Sequence, residues 1–340
     1  MAKKRRYWSV ISPMPGPALA EVAKQSEAIG LEGLFVPQLF GSPFTTLAAA
    51  AMATSRVKLG SFVALAFVRS PLETASAAMD LDLISGGRAV LGIGPSVRWW
   101  NEDWYGVHYG KPIPHLREAI TVVRMIIEKG HTGELGKFEG EYYKLDLDRF
   151  RTFGPPVRTH IPIYLPALYE TAARVSGEIA DGLVPHPICS TEWLLEKIAP
   201  SVDQGLKKKG RERRVFDLNV CPYVNPASTK KQAIEETRRT VIFYALHTQY
   251  EKYFAANGFG AEARAIAAAS KAKDDAAMLK SCSDAMVEKF AIVGTPDEVR
   301  RGVERLDPIA DSFTLCPPYA GLSPDKIGEI AGRIAQTFYL

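Results

Sequence analysis

At 340 residues, with 46% hydrophobic and 24% charged side chains, the chain has ample material for a buried core, and no apolar run approaches the length needed to cross a bilayer. A formal net charge of only +4 gives no nucleic-acid footprint: the one dense basic run, Lys207-Lys208-Lys209 with Arg211, Arg213 and Arg214, has no interleaved aromatics and reads as a solvated helix end. Four scattered cysteines (Cys189, Cys221, Cys282, Cys316) show neither C-x-x-C spacing nor neighbouring histidines, which excludes a zinc motif and a disulfide framework and leaves buried free thiols.

The basic start MAKKRRYW lacks the apolar segment of a secretory signal, so it reads as a solvated tail and the expected location is cytoplasmic. Tyr7 to Ile11 alternates into a first strand, followed by the loop SPMPGP and a helix from Ala18 to Ile29. GLFV is a short buried strand, PQLFGSPF an exit loop, and Thr46 to Ala53 an alanine-rich helix. VKLGSFVALAFV, apolar nearly throughout, is expected as one strand buried on both faces. Pro71 opens the next helix, whose buried face is predicted to carry Leu72, Ala75, Ala78, Met79 and Leu83, and Gly86-Gly87 ends it. AVLGIG then forms a strand whose glycines allow close approach of a ligand, with Ser96 at its exit.

The alternation continues with a helix from Leu116 to Lys129, strand IPIYL, helix Thr171 to Ile179, strand GLV, helix Thr191 to Lys208 and strand FDLNVCPYV. It closes with a helix from Pro296 to Arg305, strand DSFTLCP and a helix from Pro324 to Phe338. Eight strands each followed by a helix predict a (β/α)8 TIM barrel spanning 1–340 as a single domain, with insertions at its C-terminal mouth. One insertion is a surface hairpin at 137–144; the other is an extended helical segment at 229–291, too long for a single crossover. GIGPSV lacks the third glycine of a dinucleotide fingerprint and follows the fourth strand, which argues against a doubly wound sheet.

VKLG, RSP, SGGR and LGIG, in that order, resemble the bacterial luciferase-like family of flavin- and deazaflavin-dependent oxidoreductases. EAIGLEGLFVPQ, IPIYL, GEIADGLVPHP and VGTPDEV fall where that family has corresponding blocks, and VPQ, ALAFVRSP and VRWWNEDWYG are most similar to its branch using the deazaflavin coenzyme F420. The resemblance implies F420 as cofactor, with FMN as the alternative. It also implies a non-prolyl cis peptide at Phe62-Val63, next to Ser61, bracing the ring system of the cofactor.

Further cofactor positions implied are Gln38, the loop Gly94, Pro95, Ser96 and Asn101 for the ribityl and phosphate groups, and Leu165, Pro166, Ala167 and Tyr169 after the fifth strand. Glu170 at the start of the following helix would repel a phosphate there. Sugar-phosphate dehydrogenases of the family have a histidine where this chain has Leu39, and an acidic donor where it has Val97, which argues against that activity.

The aromatic run Trp99, Trp100, Trp104 and Tyr105 offers walls for an apolar substrate, Trp99 and Trp100 foremost, and Met14, Phe67 and Tyr319 follow other strands. His186, in GLVPHP, is the best titratable candidate and, with Gln38, a candidate catalytic residue. Arg69, Arg88, Asp80, Asp82 and Asp181 read as structural, and no metal site is expected.

The expected activity is F420-dependent hydride transfer to or from a small, rather apolar organic substrate. The alternatives are an FMN-dependent luciferase-like monooxygenase and, further off, a non-catalytic flavin-binding protein. A lyase or isomerase barrel would want a lysine or paired carboxylates at strand ends, and none is found. The resemblance also implies a homodimer through the helices flanking strands two and three, where the AAAAAM face is flat and small.

Overall fold

A computed structural model describes residues 5–39 and 41–340. The first four residues of the basic tail, and Phe40 in the PQLFGSPF loop, lie outside the described residues. The described residues group into two compact units, one of residues 8–184 and 201–217, the other of 5–7, 185–200 and 218–340.

In chain order the first unit carries β1 (Tyr7–Val10), α1 (Gly16–Ala28), β2 (Gly33–Val36), α2 (Pro43–Ala53), β3 (Lys58–Ser61), β4 (Ala64–Leu65), α3 (Pro71–Ser85) and β5 (Ala89–Gly94). It continues with α4 (Pro112–Lys129), the hairpin strands β6 (Lys137–Glu139) and β7 (Lys144–Asp146), β8 (Ile163–Ala167), α5 (Glu170–Ile179) and β9 (Gly182–Pro185). Beyond α6 (Thr191–Trp193), most of α7 (Ala199–Lys208) returns to it. Parallel ladders join β1 to β2, β2 to β3, β3 to β5, and β5 to β8.

Side-chain volume explains the bare positions in these strands. A Cβ on Gly33 would lie 2.5 Å from the Trp8 ring and one on Gly60 2.4 Å from Phe35. Those vacancies let Trp8 stack on Phe35 at 4.2 Å and Phe35 on Phe62 at 5.3 Å. The predicted long third strand is two pieces, β3 and the two-residue β4, separated at Phe62-Val63, where the peptide bond is cis.

Helix α3 starts and stops as its sequence dictates: the Ser70 hydroxyl accepts from Glu73 N–H, Pro71 occupies the first turn, and Gly86 takes the left-handed conformation at φ 67°. Its buried face differs from the expected one. Asp82 and Ser85 join Ala75 and Ala78 inside, whereas Leu83 is 66% exposed. A 3.6-residue period from Ala75 and Ala78 leads to position 82, and an aspartate is tolerated there because Arg158 grips it: Nε donates to both carboxylate oxygens and Nη2 to Oδ1 at 2.7 Å, while Ala89 N–H donates to Oδ1. Arg88 sits beside this joint. Its guanidinium donates to the carbonyls of Ala51, Thr54, Val57 and Ser85 and to the Thr54 hydroxyl, closing the C-terminal end of α2.

The second unit carries β10 (Asp217–Val220), β11 (Val224–Pro226), α8 (Lys230–Ala245), α9 (Glu251–Ala256), α10 (Gly260–Lys271), α11 (Asp275–Ser281) and α12 (Asp284–Phe290). After these come β12 (Ile292–Gly294), α13 (Pro296–Glu304), β13 (Ser312–Thr314) and α14 (Pro324–Phe338). β10 pairs in parallel with β13, and β11 with β12. The 229–291 stretch is therefore helical, as its length required, but the β11–β12 pair that flanks it was not legible. Counting β1, β2, β3, β5, β8 and β9 with β10 and β13 gives the eight strands of a (β/α)8 barrel. Cys189, Cys221, Cys282 and Cys316 are all buried free thiols.

Candidate functional site

In the first unit, the functional candidates gather at the exits of β2, β3, β5 and β8. Gln38, buried just past β2, is fully occupied on its oxygen: Oε1 accepts from Leu65 N–H at 3.0 Å and Arg69 Nη1 at 2.8 Å, while Nε2 donates to Tyr105 OH at 3.4 Å. The amide ties three loops together, and only its second N–H remains for a ligand. Arg69 takes the structural part expected of it by holding Gln38. The Ser61 hydroxyl donates to Gly92 O at 2.7 Å, fixing β3 to β5 just before the cis bond.

Both glycines of the fourth barrel strand are demanded by contact. A Cβ on Gly92 would lie 1.9 Å from Ser61 O, and one on Gly94 would lie 2.5 Å from the Pro166 ring. Leu165, Pro166 and Ala167 belong to β8 itself, because the strand runs two residues past the predicted IPIYL, and the side chains of Leu165 and Ala167 are buried. Tyr169 is the residue before α5 and offers the helix no side-chain cap, while Glu170 opens the first turn.

Past Gly94 the chain crosses Pro95, turns through a left-handed Ser96 at φ 57°, and enters a π-helical turn at Trp100–Trp104 that periodicity did not announce. Asn101 sits wholly buried inside that turn. Its Nδ2 donates to Pro95 O at 2.9 Å and Val97 O at 2.8 Å, which fixes the amide orientation, and its Oδ1 has no donor among the described residues. A buried acceptor without a partner is costly, and a hydroxyl-bearing ligand would satisfy it. The loop therefore fits the polyol chain of a flavin or deazaflavin; by contrast, Pro166 has no N–H and Glu170 is acidic, so the exit of β8 is poor ground for a phosphate.

The aromatic candidates divide. Trp100 stacks on Trp104 at 5.0 Å, Trp99 packs edge-on against Trp104 at 4.8 Å, and Trp99 and Trp104 remain 38% and 51% exposed. Phe67 is buried, stacked on His115 at 3.7 Å, and Met14 packs partly buried on the core. His115, not anticipated, uses both ring nitrogens, toward Tyr109 O and Tyr143 OH, and burial lowers its pKa, so it serves as a structural wedge.

The second unit brings His186 together with four tyrosines. Nδ1 of His186 accepts from Ile188 N–H at 3.2 Å, so the neutral ring carries its proton on Nε2, which lies 3.0 Å from Tyr250 OH. Burial lowers its pKa to about 4, keeping the imidazole neutral at ordinary pH. Tyr244 packs edge-on to His186 at 5.0 Å and links two further phenols, Tyr223 OH at 2.6 Å and Tyr319 OH at 3.3 Å. Burial holds the Tyr223 and Tyr244 hydroxyls protonated, well above the ordinary tyrosine range. Of these, the sequence pointed to His186 and Tyr319; the recurring C-P-Y and C-P-P-Y at 221–223 and 316–319 would have pointed to Tyr223 as well.

A family model for luciferase-like monooxygenases matches residues 8–310. The chain belongs to that family. Among its luciferase-like relatives is a 5,10-methylenetetrahydromethanopterin reductase from Archaeoglobus fulgidus, 29% identical over 288 residues that cover 83% of this chain and 82% of the relative. Another is a putative coenzyme F420-dependent oxidoreductase from Mycobacterium tuberculosis, 29% identical over 96% of each chain. The coenzyme F420 dependent tetrahydromethanopterin reductase of Methanopyrus kandleri has a similar solved structure, with a TM-score of 0.81 at 24% identity over 97% of this chain and 98% of that one. The fold is thus the luciferase-like (β/α)8 barrel, and the protein is an oxidoreductase by family. Among the described residues no helix is long and apolar enough to cross a membrane.

Proposed function

We propose that this chain is an F420-dependent oxidoreductase that moves a hydride between the deazaflavin and a small, rather apolar organic substrate. The observation that carries the reading is the unpartnered buried Oδ1 of Asn101, set in the glycine-flanked loop after β5 where the luciferase-like resemblance puts the ribityl chain. The names of the F420-linked relatives favour deazaflavin over flavin.

When bound, the cofactor would supply the hydride chemistry, and the protein's tasks are binding, orientation and exclusion of water. Asn101 would hold a cofactor hydroxyl, Ser61 and Gln38 fix the loops around it, and Trp99 and Trp100 offer apolar surface to the substrate. The neutral imidazole of His186 can hold or pass a proton at Nε2 through Tyr250. The absence of a base at Gln38 fits chemistry carried by the cofactor.

Titrating apoprotein with F420 and with FMN, followed by fluorescence, tests the reading. Saturable F420 binding, weakened about tenfold by Asn101→Ala, is expected from loss of one hydrogen bond. Tight FMN binding with oxygen-dependent turnover of the reduced flavin would replace it by the monooxygenase alternative.

The protein is further proposed to form a homodimer through α2 and α3, where Met52, Leu83 and Ile84 are 78%, 66% and 46% exposed. Sedimentation showing only a 37.3 kDa species at micromolar concentration would refute this.

A further inference from the structure

Away from the residues discussed above, the second unit contains a cavity of about 400 Å³, within the range of small-molecule sites. Its wall follows β12 between the end of α12 and the face of α13. Ile292 is the half-buried apolar residue at that wall, while Pro222, Phe290 and the thiol of Cys189 back it from within the core. Its rim is cationic: Lys230, Lys289, Arg301 and Arg305 face only two lining carboxylates, Glu288 and Glu298.

Those carboxylates are already committed. Glu298 closes the capping box of α13, accepting from Thr295 N–H at 2.8 Å and the Thr295 hydroxyl at 2.9 Å, and these bonds hold it below the usual carboxylate range. Glu288 pairs with Lys230. Just outside the lining, the single carboxylate of Glu192 takes both Lys289 at 2.9 Å and Arg305 at 2.7 Å. Arg301 makes no ion pair within 4.0 Å among the described residues. Two cations sharing one carboxylate, beside an Arg301 guanidinium attracted only at longer range by the capping Glu298, leave an excess of positive charge around a mainly polar recess.

We propose that this cavity binds a small organic anion, an oxyanion group held by Arg301 and Arg305 with its carbon skeleton laid against Ile292. The wall is joined to the tyrosine chain through the backbone, since Ile292 N–H donates to Tyr223 O at 2.9 Å. An occupant of the cavity would thus lean on the strand whose neighbour follows directly on the first phenol.

The test is thermal unfolding of the full chain at constant ionic strength, with citrate or inorganic phosphate as probe and chloride as reference. Citrate is expected to raise the midpoint saturably, as a ligand of the native state must. Arg301→Glu should weaken the apparent affinity about tenfold or more, the consequence of losing a charge-assisted contact. Arg149→Glu, the same charge change at an exposed position of the other unit, should leave it unaltered. A citrate response without a phosphate response supports a polycarboxylate; equal responses support any oxyanion. The proposal is overturned if chloride shifts the midpoint as much as citrate, if the two variants behave alike, or if citrate gives no shift. Because no cofactor or turnover enters the measurement, its failure leaves the F420 reading untouched, and failure of F420 binding leaves the cavity untouched.

Discussion

The exits of β3 and β5 and the tyrosine cluster of the second unit are both polar places in an apolar barrel, but they are built by opposite means. Around β5 the backbone decides: Gly92 and Gly94 have no room for a side chain, Ser61 stitches two strands, and Asn101 is locked by two carbonyls. In the cluster, side chains decide: Tyr223, Tyr244 and Tyr319 are linked by single hydrogen bonds, and the hydrogen-bonded pair His186 and Tyr250 packs edge-on against Tyr244. A region set by backbone contact should tolerate no added atom, and one set by side chains should survive single deletions.

Gly92→Ala is the harshest way to break that contrast. With backbone 1.9 Å from the new methyl group, β3 and β5 must separate, and a loss of about 3 kcal/mol or more is expected in denaturant unfolding. Insensitivity to this substitution would show that the strand junction yields. Asn101→Ala should cost about 2 kcal/mol, because Pro95 O loses its donor and Val97 O keeps only the backbone N–H of residue 101, at 3.4 Å. The same melt in the presence of F420 should show a smaller rescue than for the unaltered protein.

His186 sharpens the comparison through pH. Its folded pKa of about 4 lies below the ordinary 6.5, so between these values the unfolded chain takes up a proton that the native state refuses. Stability should fall as pH drops from about 6.5 to 4, and His186→Gln should flatten that slope; an unchanged slope would remove the half-buried neutral imidazole from the account. The smallest effect is expected for Tyr244→Phe, about 1 kcal/mol by the same unfolding measurement, because Tyr223 and Tyr319 lose a shared partner without any change of shape. A loss as large as that for Gly92→Ala would abolish the distinction between the two regions.

This difference also decides what could be read in advance. The strand-helix alternation and the Pro71 start and Gly86 stop of α3 follow from local rules that act within a few residues. The break between β3 and β4 does not, since an apolar run conceals the point where one peptide bond turns. Leu83 was misplaced because its apolar character outweighed the helical period, whereas Asp82 is buried only by virtue of an arginine 76 residues away. Tyr223, Tyr244 and Tyr319 were illegible as a set because α8 and the helices after it intervene in sequence. The cavity beside β12 depends on a strand pair, β11 with β12, whose members are separated by five helices.

Arg88 gives the joint between α2 and α3 an unusual kind of selectivity. Its planar head meets four carbonyl oxygens and a hydroxyl from several directions at once, while Glu27 attracts it without a hydrogen bond among the described residues. Lysine would keep the charge yet offer one tetrahedral donor group on a freely pivoting stem, too few and wrongly aimed to reach all these oxygens. At this corner of the barrel, then, shape rather than electrical sign is the property that cannot be exchanged.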